Sequence, residues 1–90
     1  MYSVKVTNKI NVCGINDTYE FDTVEPIHKI WKWLFGHIRQ CINGHIGCRI
    51  IVRDWNTGTC ILWAYVRIME DDSICARLNR CGKYHNYEFI

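Results

Sequence analysis

The sequence predicts an α+β domain: an N-terminal hairpin, one helix and a four-stranded antiparallel meander, in the order ββαββββ, with the helix packed on one face of the sheet. Three observations carry this. Residues 48–69, CRIIVRDWNTGTCILWAYVRIM, read as two strands joined at Asn56-Thr57-Gly58. Residues 27–42 place apolar side chains at helical spacing. The segments on either side alternate apolar and polar residues with the period of two that a half-buried strand requires.

In the first segment Tyr2, Val4, Val6, Ile10 and Val12 occupy even positions, and Asn8 interrupts them. The interruption predicts a bulge or tight turn near Asn8-Lys9. Gly14-Ile15-Asn16-Asp17 has turn composition, and Thr18 to Thr23 alternates again, with Tyr19 and Phe21 on one side. This hairpin is expected to extend the meander's sheet or pack at its edge. A fold-back over the sheet's outer face is the alternative.

Asp22-Thr23-Val24-Glu25-Pro26 marks a helix start, with a capping Asp or Thr, an acid in the first turn and an early proline. The helix is expected to run to about Ile42 and stop at Asn43-Gly44, with Gly44 in the left-handed cap. Its apolar stripe is Ile27, Ile30, Trp31, Leu34, Ile38, Cys41 and Ile42, and Lys29, Lys32, Gly36, Arg39 and Gln40 face away. Trp33 falls about 240° from Ile27 at 100° per residue, which points it towards water, and Phe35 lies on the other flank.

In the central hairpin a three-residue loop needs its last residue at positive φ, which Gly58 adopts without a Cβ clash. That loop pairs Trp55 with Thr59, Asp54 with Cys60, Val52 with Leu62, Ile50 with Ala64 and Cys48 with Val66. Alternation then puts Cys48, Ile50, Val52, Cys60, Leu62, Ala64, Val66 and Ile68 on one face. Arg49, Ile51, Arg53, Trp55, Ile61, Trp63, Tyr65 and Arg67 take the other. Glu70-Asp71-Asp72 makes a second three-residue loop that pairs Ile68 with Ile74, Val66 with Ala76 and Ala64 with Leu78. Cys81-Gly82 is expected to turn the chain once more, pairing Asn79 with Tyr84 and Leu78 with His85, with Tyr87 and Phe89 joining the core.

Ninety residues, 49% of them hydrophobic, suffice for one core and one domain. The net charge of +2 does not by itself imply nucleic acid. The longest apolar run, Ile61 to Val66, is too short to span a bilayer, and MYSVKVTNKI lacks the apolar segment of a signal peptide. A soluble cytoplasmic protein without membrane contact is expected. Its six cysteines, Cys13, Cys41, Cys48, Cys60, Cys75 and Cys81, are then expected as reduced thiols.

The outer face carries the functional expectation. Arg49, Tyr65 and Arg77 form one cross-strand row, and Ile51, Trp63, Asn79 and Tyr84 another. Arg53 and Ile61 lie near Trp55 at the turn, and Arg67 near Cys75 and Glu88. Arginine stacks on aromatic rings, and Trp, Tyr and Arg are the types enriched at binding hot spots. Arg49, Arg53, Trp55, Trp63, Tyr65, Arg67 and Arg77 are therefore the candidate binding surface, with Trp33 as a second patch. The expected function is a non-enzymatic protein-binding module. Single-domain chains without catalytic motifs are often small inhibitors that occlude a larger protein, virus-encoded inhibitors of host defence among them. A second copy of the chain is another candidate partner. Single-stranded nucleic acid, stacked on the same aromatics, ranks second. The structural alternative is a wet sheet face shielded by arginine stems.

One metal alternative stands beside these. His37-x3-Cys41-x3-His45-x2-Cys48 offers four nitrogen or sulfur donors of the kind zinc binds, though without a CxxC pair. The plainer reading is two surface histidines and two buried thiols, and no cofactor is expected. The pairs Cys41–His45 and Cys81–His85 lack a third, orienting group, and Asp71 and Asp72 diverge in a turn, so no catalytic residue is assigned.

Overall fold

The computed structural model describes residues 1–10, 15–80 and 85–88. Strands β1 (Tyr2–Ile10) and β2 (Ile15–Thr23) precede helix α1 (Ile27–Asn43). Strands β3 (Gly47–Asp54), β4 (Cys60–Ile68), β5 (Ile74–Arg80) and β6 (His85–Glu88) follow. All pairings are antiparallel, and the strand order is β2-β1-β3-β4-β5-β6. The expected α+β architecture is present. The N-terminal hairpin extends the sheet, with β1 hydrogen-bonded to β3 from Tyr2↔Asp54 to Lys9↔Gly47. Since β1 is antiparallel to both neighbours, β2 and β3 run parallel. A helical crossover is the connection such strands need, and α1 supplies it across one face.

Alternation decides which face α1 covers. Val4 and Val6 of β1, Cys48, Ile50 and Val52 of β3, Leu62, Ala64 and Val66 of β4, and Ala76 and Leu78 of β5 are all buried. Against them α1 buries Ile30, Leu34, Ile38 and Cys41, with Ile27, Trp31, Phe35 and Ile42 packed around the rim. The molecule is a plate 39 × 26 Å across and 18 Å thick. That thickness is one sheet plus one helix.

The expected bulge at Asn8-Lys9 is absent. β1 is regular through that point, with Asn8 opposite both Asp17 and Cys48. Asn8 therefore keeps its core-facing position, and Ile15, Asn16 and Asp17, expected in a turn, belong to β2. The expected turn at Gly14, the Cys81-Gly82 turn, and the positions of Val12, Cys13, Tyr84 and Phe89 lie outside the described residues, as does the side chain of Tyr87.

The helix begins after Pro26, which takes the N-cap position in place of the expected Asp or Thr and leaves no acid in the first turn; Glu25 N donates to Thr23 Oγ1 at 3.1 Å just before it. Its end departs from expectation by one residue. Gly44 is right-handed (φ −84°), and His45 takes the left-handed position at φ 54°. His45 N donates to Ile42 O at 3.2 Å and Ile46 N to Cys41 O at 2.9 Å. This is the Schellman pair of bonds, which satisfies the last helical carbonyls and folds the chain back. Gly44 answers a different need, because a Cβ there would lie 3.2 Å from Ile46 Cδ1 and 3.3 Å from Gln40 O.

The central registers hold: Val52↔Leu62, Ile50↔Ala64, Cys48↔Val66, then Ile68↔Ile74, Val66↔Ala76 and Ala64↔Leu78. Met69 N donates to Ser73 O at 2.8 Å, closing the Glu70-Asp71-Asp72 loop as expected. The Asn56-Thr57-Gly58 turn is wider than expected, and Arg53 pairs with Cys60 across a bulge after Val52. The cause is Asp54, whose carboxylate accepts from Asn56 N at 2.9 Å and Thr57 N at 3.0 Å. Its carbonyl accepts from Gly58 N at 2.9 Å, and Gly58 has the required positive φ of 73°. Cys60, expected in the core, is only half-buried at this bulge. At the far edge Leu78 pairs with Tyr87 and Arg77 with Glu88, a slip of two residues from the expected register. A slip of two preserves every facing, so alternation does not detect it.

Candidate functional site

The face opposite α1 is built from the odd residues of β1, β3, β4 and β5. The first expected row forms, Arg49↔Tyr65↔Arg77, and so do three members of the second, Ile51↔Trp63↔Asn79, but Asn86 rather than Tyr84 lies opposite Asn79. β1 adds Thr7 beside Arg49 and Lys5 beside Ile51. Arg67 lies opposite Cys75 as expected, but Glu88 pairs with Arg77 instead. Trp63, Tyr65, Ile51 and Ile61 are half-buried by their neighbours, and Arg49, Arg53 and Arg67 are exposed.

The two aromatic rings of β4 stand against each other. Trp63 and Tyr65 stack with centroids 5.7 Å apart and planes 3° from parallel. Arg67, two residues further along the same face, places its Cζ 5.7 Å from the Tyr65 centroid. The three side chains form one column along β4. Among the described residues, no carboxylate lies within ion-pairing distance of Arg49, Arg53 or Arg67. The column borders a shallow concavity of about 960 Å³, lined in part by Thr7, Lys9, Arg49, Ile51, Arg53 and Arg67.

One candidate sits elsewhere than alternation put it. Trp55 lies in the wide turn, beyond the last strand pair, and is 56% exposed, with its amide donating to Met1 O at 3.1 Å. Arg53 bends back to donate from Nη1 to Gly58 O at 3.2 Å. Trp33 is on the other side of the sheet. It is 38% exposed, but its ring meets Phe21 edge-on at 5.4 Å and stacks with His37 at 5.4 Å. The helix lies over β3, β4 and β5, so its Trp33 flank overhangs the β1–β2 edge and covers Phe21. The helical-wheel angle was right, but the sheet extends beneath that flank.

A second group lies at the C-terminal end of α1. One ligand atom each from His37, Cys41 and Cys48 gather within 4.8 Å of one another. His37 and Cys41 are one helical turn apart, and Cys48 arrives from the start of β3 through the Schellman fold-back. His37 Nε2 lies 3.4 Å from Oδ1 of Asn8, which faces the helix from β1. The hydrogen bond from Cys48 holds the Cys41 thiol well below the ordinary thiol range, with His37 adding to the effect and burial opposing it. Cys48 is pushed up, as the donor in that bond and by burial. Tyr19, opposite Val6, is raised by burial, then by Asp17 and by the two cysteines.

His45, the fourth residue of the sequence motif, is not in this group. Its left-handed backbone turns it outward, where Nε2 lies 3.9 Å from Asp72 Oδ1. Cys41, Cys48 and Cys75 form no disulfide. No helix is long and apolar enough to cross a membrane among the described residues. The residue that sequence reasoning missed is Asn8. Its signal was a polar side chain at a core-facing position, which a partner on the helix explains better than a break in the strand.

No protein-family model matches the chain, and comparison with characterised proteins and with solved structures gives no significant match.

Proposed function

We propose that this chain is a non-enzymatic protein-binding module that seats a larger partner on the sheet face opposite α1, in the manner of a small occluding inhibitor. The observation that carries this is the Trp63–Tyr65–Arg67 column. Tyr65 has Trp63 on one side and Arg67 on the other, so its ring faces are spent within the chain. A base-stacking platform needs those faces free. A ridge of indole and phenol, flanked by Arg49 and Arg53, instead fits an apolar groove with acidic sides. The plate offers roughly 1,000 Å² on this face, against about 800 Å² per partner in an interface of standard size.

Capture from native cells, followed by reconstitution with the purified partner, tests this. Trp63→Ala and Arg49→Glu are expected to abolish or strongly weaken binding while the far-ultraviolet dichroism is unchanged. Lys29→Ala on the helix side is expected to bind as the wild type does. Unchanged affinity in both face variants would reject the proposal. So would tight, steeply salt-dependent binding of single-stranded oligonucleotides, or a dimer mass in solution that Trp63→Ala converts to monomer.

A further inference from the structure

The geometry points to a zinc site formed by His37, Cys41 and Cys48, with a fourth position taken by water or an outside ligand. Zinc prefers four donors in a tetrahedron, and thiolate with imidazole is a standard donor set. With Zn–S near 2.3 Å and Zn–N near 2.0 Å, tetrahedral donors stand roughly 3.5 Å apart. Donors already within 4.8 Å of one another reach that spacing by small rotamer changes.

Three features separate this group from a chance meeting of core thiols. Cys41 and Cys48 are 5% and 4% exposed, so an ion held between them would sit in a dry, low-dielectric shell. His37 is half-buried at the margin, which leaves the group an approach from solvent. Asn8 places an amide oxygen by His37 from a position that otherwise carries apolar residues, Tyr2, Val4 and Val6 preceding it in the same series. Ligating histidines regularly have such a polar partner, which fixes the ring. The donors come from α1 and β3, and the supporting oxygen from β1. A bound ion would therefore tie the helix end to the centre of the sheet. This is a three-residue site, and it excludes His45.

Reduced, metal-free protein titrated with Co2+ tests the assignment, since tetrahedral cobalt–thiolate gives visible d–d bands and a near-ultraviolet charge-transfer band. Wild type is expected to show both, to lose them on adding one equivalent of Zn2+, and to gain thermal stability with Zn2+. Cys41→Ala and Cys48→Ala each are expected to lose the charge-transfer intensity of one thiolate and at least tenfold in affinity. Because core variants can misfold, His37→Ala at the half-buried margin supplies a second arm, with the same tenfold loss and an unchanged fold. His45→Ala is expected to match wild type in spectrum and affinity. Absence of the bands in the wild type would overturn the site. So would an unchanged spectrum in His37→Ala, or a loss in His45→Ala as large as in His37→Ala.

Discussion

His45 and Asp72 face each other with Nε2 3.9 Å from Oδ1, and they are the two non-glycine residues at positive φ among the described residues, at 54° and 66°. The left-handed region costs an L-residue about 1–2 kcal/mol. At the helix end it is the position that glycine usually fills. His45→Gly is therefore expected to raise stability by about 1 kcal/mol, seen as a higher urea midpoint at unchanged slope. The lost contact is exposed on both sides and contributes little. A lower midpoint would show that the imidazole does more for the fold than its backbone costs.

Gly36 lies mid-helix on the exposed side, and a Cβ there would meet nothing within 4 Å. Gly36→Ala should stabilise by about 0.5–1 kcal/mol through reduced backbone entropy in the unfolded chain. Chemical denaturation of the two proteins side by side measures it.

Leu34 is fully buried between α1 and the sheet, whereas Trp63 is half-buried on the open face. Leu34→Ala should cost about 2–5 kcal/mol. Trp63→Ala should cost nearer 1 kcal/mol, the scale of the lost aromatic stack. Comparable losses for the two would mean that Trp63 serves the fold rather than a partner.

Asp54 and Asp71 are both held below the ordinary carboxylate range. Asp54 owes this first to the amide of Thr57, then to that of Asn56. Asp71 owes it first to the hydroxyl of Ser73, 2.6 Å away, then to its amide. A depressed folded pKa means that the unfolded chain takes up protons first on acidification. The two turns thus contribute fully above the unfolded value, near pH 4, and lose that contribution as pH falls through the folded values. Asp54→Asn should flatten part of the fall in melting temperature below about pH 4. An identical acid profile in the mutant would remove Asp54 from the account.

Asn8→Val restores the apolar alternation of β1 and deletes the oxygen that faces His37. If the zinc site holds, affinity for Zn2+ drops by about 10–100-fold, as losses of such supporting groups do. Competition with a chelator of known affinity reads this directly. Unchanged affinity would make Asn8 a bystander.

Much of this molecule is written in local periodicity. Period-two alternation assigned Ile50, Val52, Leu62, Ala64 and Val66 to the core and Arg49, Trp63, Tyr65 and Arg67 to the opposite face, because neighbouring side chains on a strand must diverge. The 3.6-residue stripe likewise placed Ile30, Leu34, Ile38 and Cys41 against the sheet. The Glu70-Asp71-Asp72 loop set the β4–β5 register, because a short loop leaves few pairings open.

Tertiary structure decided what lies beside what. No local pattern says that β1 sits between β2 and β3, yet that order brings Asn8 under His37 and Phe21 under Trp33. It also divided the His37–Cys41–His45–Cys48 run, because the Schellman turn sends His45 outward and carries Cys48 back to Cys41. Alternation names the face of a residue and is blind to its neighbour across the sheet, as the two-residue slip between β5 and β6 shows. Long-range contacts arise from how whole surfaces pack, and that packing brought together the three donors and spread the arginine–aromatic face over one open side.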